Sequence, residues 1–351
     1  MLSGAYFFAG SAVGSLAGAT VARRIRVMVG IWACCVLSIV GNLLFAVGDS
    51  VAVLAVGRVF AGLAFGLAAV FVPAYARATG GVKMVGLFGA GLTLGLAAAL
   101  FLGSVLEGAD VSWRVAFFIT AALAAIALPI LPNERVEIPR TASEGEGLAR
   151  ECLTNQAWWR VQLLGITTLT IPLIIGAWLV HFLIIGYGMS AAEAGALAFA
   201  LFGLSAVMRD IAGRMTAAGD SPSLLVIAGL ALGAGGIFLL GVGDSTLAAV
   251  ISLVLMAVGL SLPYPLYYDE AERVLPDRPV GSLGLMQVGT GIFPIFVIPA
   301  FGAALASDDA DLAFAGLAAF TVLTLVLNAR PPVPPREAAT SEVSSTSAGP
   351  G

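Results

Sequence analysis

Charge is what this sequence is short of. Its 351 residues hold 17 Lys and Arg, 21 Asp and Glu and a single His, and 59% are hydrophobic. A soluble domain of this length cannot cover so much apolar surface with so few charges, and a mean hydropathy of +1.00 points to lipid as the solvent. The net charge of −4, without a basic patch interleaved with aromatics, argues against nucleic acid as a partner. The three cysteines, Cys34, Cys35 and Cys152, show no metal-ligand spacing and imply no disulfide framework. No Ser/His/Asp set, paired carboxylates or nucleotide motif occurs, so an enzyme is not expected, and neither is a cofactor. Met1 leads straight into apolar residues without a positive stretch, so no cleavable signal is expected.

What is present is a series of long apolar runs. A bilayer core takes about 20 residues of helix, and on that measure eleven spans are expected, at 2–21, 27–46, 51–75, 84–106, 113–131, 159–185, 191–216, 223–243, 246–267, 281–306 and 310–328. Runs this long without two-residue alternation satisfy their backbone in lipid only as helices. Basic residues set the orientation. Arg23, Arg24 and Arg26, then Arg77 and Lys83, then Arg135, Arg140 and Arg150, then Arg273 and Arg278, and finally Arg330 and Arg336 all fall on one side. That side is expected to be the cytoplasm of a multi-pass cell-membrane protein. The opposite loops carry Asp49, Glu107, Asp110, Glu193, Asp244, Asp308 and Asp309, with Arg114 their one basic neighbour.

The chain also repeats itself at an offset of 195. Gly18-x-x-x-Ala22 returns as Gly213-x-x-x-Ala217, and Val47-Gly48-Asp49-Ser50 as Val242-Gly243-Asp244-Ser245. Val85-Gly86-Leu87-Phe88-Gly89 maps onto Val280-Gly281-Ser282-Leu283-Gly284. The reading is an all-α membrane protein of two pseudo-symmetric helix bundles, five spans in residues 1–131 and six in 158–330. A polar cytoplasmic linker, 132–157, separates them, and a Pro/Ser/Thr-rich tail, 331–351, is expected to be disordered. The span at 159–185 has its repeat partner upstream of Met1. The first half is therefore expected to lack one helix, through a late-assigned start or a real loss. Both copies keep one orientation, a parallel repeat about the membrane normal.

Two parallel six-helix halves with a cytoplasmic linker resemble the major facilitator superfamily, and local motifs add to the likeness. The family's loop G-x-x-x-D-R-x-G-R-R stands here with Gly18, Arg23 and Arg26 kept, Ala22 at the Asp and Val27 beyond. Its fourth-helix pattern appears as Leu54, Arg58 and Gly62, and its W-R-x-x-F as Trp113, Arg114 and Phe117. The antiporter pattern of the fifth helix keeps Gly86, Gly95 and Gly103, with Ala99 and Leu100 in place of its Gly-Pro. The run Arg209-x-x-Ala212-Gly213 is similar to the R-x-x-G-G of nitrate/nitrite porters, whose second arginine would fall at Gly14. The resemblance implies a secondary transporter working by alternating access on a small solute, a small anion or organic acid, with proton coupling open. A drug or metabolite antiporter, and a non-transporting remnant or sensor, are the alternatives. A lipid bilayer and a small-molecule or ion substrate are the expected partners, and a monomer is the expected state.

Charge inside lipid is costly and marks function. Arg58 and Arg209 are the arginines set well inside spans, the first either beside the translocation path or a structural residue snorkelling outward. Arg209 either grips an anion or is neutralised by Asp210. His181 reads as a proton-linked switch or as an interfacial residue. Thr168, beside Thr167, Thr170 and Pro172, is a hydrogen-bonding candidate. So are Tyr264, with Tyr267 and Tyr268, unless these form an aromatic belt, and Gln287. Gly18, Arg23, Arg26, Gly213 and Arg214 are expected to form a conformational latch.

Overall fold

The computed structural model describes residues 2–21, 24–132, 136, 147–219, 221–276, 279–307 and 309–329. The rest lie outside the described residues, among them Ala22, Arg23, Arg278, most of the linker and the whole of the 331–351 tail. Among the described residues there is no strand. Helices α1 (Leu2–Val21) and α2 (Val27–Val47) come first, then α3 (Val51–Gly108), α4 (Arg114–Ala127) and the short α5 (Leu148–Thr154). Helices α6 (Gln156–Gly165) and α7 (Ile171–Tyr187) join through a π-helical turn, Ile166–Thr170, into one rod. Then follow α8 (Ala191–Ala218), α9 (Pro222–Val242), α10 (Thr246–Gly259), α11 (Tyr264–Val274), α12 (Pro279–Ala306) and α13 (Ala310–Asn328).

Nine of the described helical runs are long and apolar enough to cross a membrane. At 1.5 Å per residue the 58 residues of α3 would span about 87 Å, far more than a bilayer. The excess is resolved at Gly80 and Gly81, where the helix is interrupted; Gly81 takes φ 63° and ψ −154°, a region that suits only glycine. Residues 51–79 and 82–108 are thus two arms, each of membrane length. With the 17-residue run Arg114–Ile130, the expected eleven spans are all present. Two expected spans differ in detail. The fifth leaves α-helical geometry after Ala127 for a 3-10 turn. The ninth is broken at 260–263, because Pro263 and Pro265 have no N–H to continue the ladder.

The repeat is visible in the packing. The 82–108 arm lies antiparallel to α8, with Ser104 against Gly195 at one end and Gly86 against Gly213 at the other. The offset carries this pair of helices onto α12 and α1, and these also pack together, with Gly284 against Ala19 and Gly291 against Ala12. The same joint therefore occurs twice. At Gly86 a Cβ would stand 2.8 Å from the Gly213 Cα and 2.8 Å from the Arg209 carbonyl oxygen, so no larger residue fits without parting the helices.

Candidate anion site

The broken helix and the π-helical turn meet at Arg209. Pro172 lies four residues after Thr168 and has no N–H, which leaves the Thr168 carbonyl without its helical donor. Arg209 Nη2 donates to that carbonyl at 2.8 Å. Tyr264, the first residue after the break, lays its ring 3.9 Å from the guanidinium carbon. The arginine is only 2% exposed, and its Nε and Nη1 have no partner among the described residues. Asp210 does not neutralise it: one residue on, it points elsewhere and pairs with Arg214 at 2.7 Å. Arg209 is thus a buried cation without a carboxylate, a costly arrangement unless something else supplies negative charge.

Beside it is a small void with room for about one water molecule. Thr93, Ser205 and Ser261 form its polar wall with Arg209, and Ile175, Phe202, Met256 and Leu260 are among its apolar residues. Ser205 and Ser261 are buried, and their hydroxyls make no hydrogen bond to other described residues. Ser205 sits one turn before Arg209 on the same helix face; Ser261 is carried by the break in the ninth span. Two hydroxyls without a hydrogen bond and an arginine with unpartnered N–H groups thus line one void. Such a place suits an anion.

A chain of polar side chains leads away from it. Tyr264 Oη donates to Tyr268 Oη at 3.3 Å, and Gln287 Nε2 donates to the same oxygen at 3.2 Å. Thr290 Oγ1 donates to Gln287 Oε1 at 2.9 Å, and Thr170 Oγ1 donates to the Thr290 carbonyl at 3.1 Å. Thr170 and Thr290 line a second small void with Ser11, Phe8 and Phe65, between α1, the 51–79 arm and the α12 face.

Of the residues singled out in the sequence, Arg209, Thr168, Tyr264 and Gln287 come together here. Thr168 contributes its carbonyl; its hydroxyl bonds back to Leu164. The tyrosines are fully buried, so they form no aromatic belt. Arg58 lies elsewhere, its guanidinium carbon 4.6 Å from the centre of the Phe45 ring, 5.2 Å from Phe117 and 5.9 Å from Phe7. It braces α1, α2 and α4 against the 51–79 arm. His181 is exposed, near Trp178, and lines neither void.

At the arginine-rich end, the cross-chain ion pair uses residues the sequence did not single out as a latch. Arg77 Nη2 meets Asp269 at 2.7 Å and its Nε meets Glu272 at 3.2 Å, tying the 51–79 arm to α11. Arg273 also holds Asp269, at 2.6 Å. Of the expected latch, Gly213 packs on Gly86 and Gly18 against Val70. Arg26 is exposed ahead of α2, Arg214 makes only the local pair with Asp210, and Arg23 is outside the described residues.

This architecture has known counterparts. The family model described as Major Facilitator Superfamily matches residues 1–283. The chain belongs to the major facilitator superfamily. No curated protein matches its sequence. Among solved structures, the E. coli fucose:proton symporter FucP is 14% identical, with a TM-score of 0.67 over 92% of this chain and 88% of the other. The proton:xylose symporter XylE, also 14% identical, gives 0.69 over 92% and 83%. The human organic anion transporter MFSD10 gives 0.63 at 16% identity over 93% and 82%. These likenesses establish the fold. As a member of the superfamily, the chain is a multi-pass membrane protein that sits in the bilayer and a secondary transporter of the kind that binds small-molecule substrates.

Proposed function

We propose that this superfamily member carries a small anion, inorganic or an organic acid, and that Arg209 is the charge that holds it. The reading rests on one observation: an arginine 2% exposed, with no acidic partner among the described residues, lining one void with free hydroxyls between helices of both halves. In this reading the bundles 1–131 and 158–330 tilt about the paired joints to open the void alternately to either side. The 132–157 linker and the 331–351 tail face the cytoplasm of the cell membrane, and the protein works as a monomer. Arg58 and His181 have no part in holding the substrate.

The test is uptake of labelled nitrate and labelled lactate by vesicles carrying wild-type or Arg209→Ala protein at matched levels. A charge-assisted contact contributes about 1.5–3 kcal/mol, so Arg209→Ala is expected to slow uptake of at least one of the two by about 10- to 100-fold. Equal uptake by both proteins would remove Arg209 from the site.

A further inference from the structure

The two halves differ in one face. In the second, the rod α6–α7 lies among α8, α11, α12 and α13. From it, Thr170 and Trp178 donate to the Thr290 and Ile298 carbonyls of α12. The offset of 195 carries those two positions onto Gly95 and Gly103, where a Cβ would meet no atom within 4 Å. On α13 it carries Ala318 and Thr321, both buried, onto Leu123 and Ile126 of α4, which are 62% and 58% exposed. Among the described residues no helix covers this face. The first half therefore has an open apolar groove between α4 and the 82–108 arm, and the same offset makes α1 and the 51–79 arm its other walls.

Arg58 stands at one mouth of this groove, on the 51–79 arm and against Phe7 of α1 and Phe117 of α4. The three rings around its guanidinium, Phe7, Phe45 and Phe117, lie two to five residues inside the ends of their helices at Leu2, Val47 and Arg114. The charge is thus about 3–8 Å below those ends at 1.5 Å per residue, near the depth where acyl chains give way to headgroups. Its Nε is buried without a partner, and no carboxylate or carbonyl accepts from Arg58 among the described residues. The side chain is only partly covered, so phosphate at this depth can reach it.

We propose that the groove holds a phospholipid of the leaflet opposite the arginine-rich end, its phosphate on Arg58 and one acyl chain along Gly103 and Gly95. Those glycines lie five and thirteen residues inside Gly108, about 8 and 20 Å deep. The stripe therefore runs the depth of one leaflet, about 15 Å of hydrocarbon. Leu123 and Ile126 flank the chain from α4, and the bare glycines leave it room. A phosphodiester whose headgroup has no cation cancels the single charge of Arg58, which selects an anionic lipid such as phosphatidylglycerol.

The experiment uses the full chain in detergent, stripped of lipid and titrated with phosphatidylglycerol, with binding read by native mass spectrometry. Wild type is expected to retain one lipid. Arg58→Met should weaken retention by about 10- to 100-fold, the loss of one charge-assisted contact. Arg58 also braces three helices, so Gly103→Leu is measured beside it. Its new side chain has open space and takes the place of the acyl chain, and retention should again fall by about tenfold or more. Dioleoylglycerol, which has the chains and no phosphate, should bind wild type about tenfold more weakly or worse. No retained lipid, unchanged retention in either variant, or equal retention of dioleoylglycerol overturns the proposal. So does a bound peptide or a second copy of the chain in place of the lipid, which would show that the groove takes a helix.

Discussion

Breaking the Arg77–Asp269 pair should unlock the arginine-rich end. Asp269 keeps 8% of its side-chain surface exposed, and Arg77 reaches it at 2.7 Å from the other half of the molecule. A hydrogen bond between charged groups contributes about 1.5–3 kcal/mol. The Arg77–Glu272 contact, at 3.2 Å between partners 27% and 33% exposed, adds no more than about 1 kcal/mol after solvent screening. Arg273 stays on Asp269 in the variant, so the carboxylate is not stranded. Arg77→Ala should therefore favour separation at this end by about 2 kcal/mol, or about 30-fold in the equilibrium. A reporter is available in Val85, 1% exposed beside the Gly86–Gly213 joint. With Cys34, Cys35 and Cys152 replaced and Val85→Cys introduced, maleimide labelling in nanodiscs should speed up by about that factor while the open form is the minority. Arg114→Ala is the control. It breaks the 2.7 Å pair with Asp49 at the opposite end, between α4 and the end of α2, and should leave labelling unchanged. Labelling that changes less than about twofold in Arg77→Ala would show that the pair does not hold the end closed.

Other changes probe the site and the joint. Arg209→Met removes an uncompensated buried charge and should raise the melting temperature of the purified protein while abolishing anion uptake, since replacing buried ions by apolar residues often stabilises by about 1–4 kcal/mol. Tyr264→Leu takes away the ring 3.9 Å from the guanidinium, and should weaken anion binding by about 5- to 30-fold in calorimetry. Tyr264→Phe keeps the ring and should change little. Pro172→Ala returns an N–H four residues from Thr168, in competition with Arg209 for one carbonyl. Anion affinity should fall a few-fold, with the helix itself stabilised. Gly86→Leu should force the 82–108 arm off α8, at about 1–3 kcal/mol or more of overpacking, and leave transport impaired at normal membrane insertion.

The helices were legible in the sequence because lipid imposes length and apolarity on them directly, and the repeat was legible because its motifs keep one offset. Arg209 stood out for the same reason, as a charge where charge is costly. Its surroundings did not. Asp210 looked like its partner by adjacency, but neighbours on a helix point about 100° apart, and the carboxylate reaches Arg214 one turn on instead. Thr168 was chosen for its hydroxyl, while Pro172 made its carbonyl the useful atom. Pro263 and Pro265 signalled the break that places Ser261 and Tyr264, yet they sit in a run whose hydropathy reads as one span. Ser205 could have been found by counting one turn back from Arg209. The Arg77–Asp269 pair could not, because 192 residues separate its members and only the folded packing joins them.

The reversal at Gly80 and Gly81 has a mechanical consequence. With two residues between them, the facing ends of the arms 51–79 and 82–108 can part by no more than about 11 Å, three Cα–Cα steps. One arm is anchored at Arg77, just before the reversal, and Thr93, a wall of the Arg209 void, rides on the other. A shift at the charged anchor should therefore be felt at the near end of the arm that carries Thr93, and lengthening the reversal with a flexible insert should loosen that coupling.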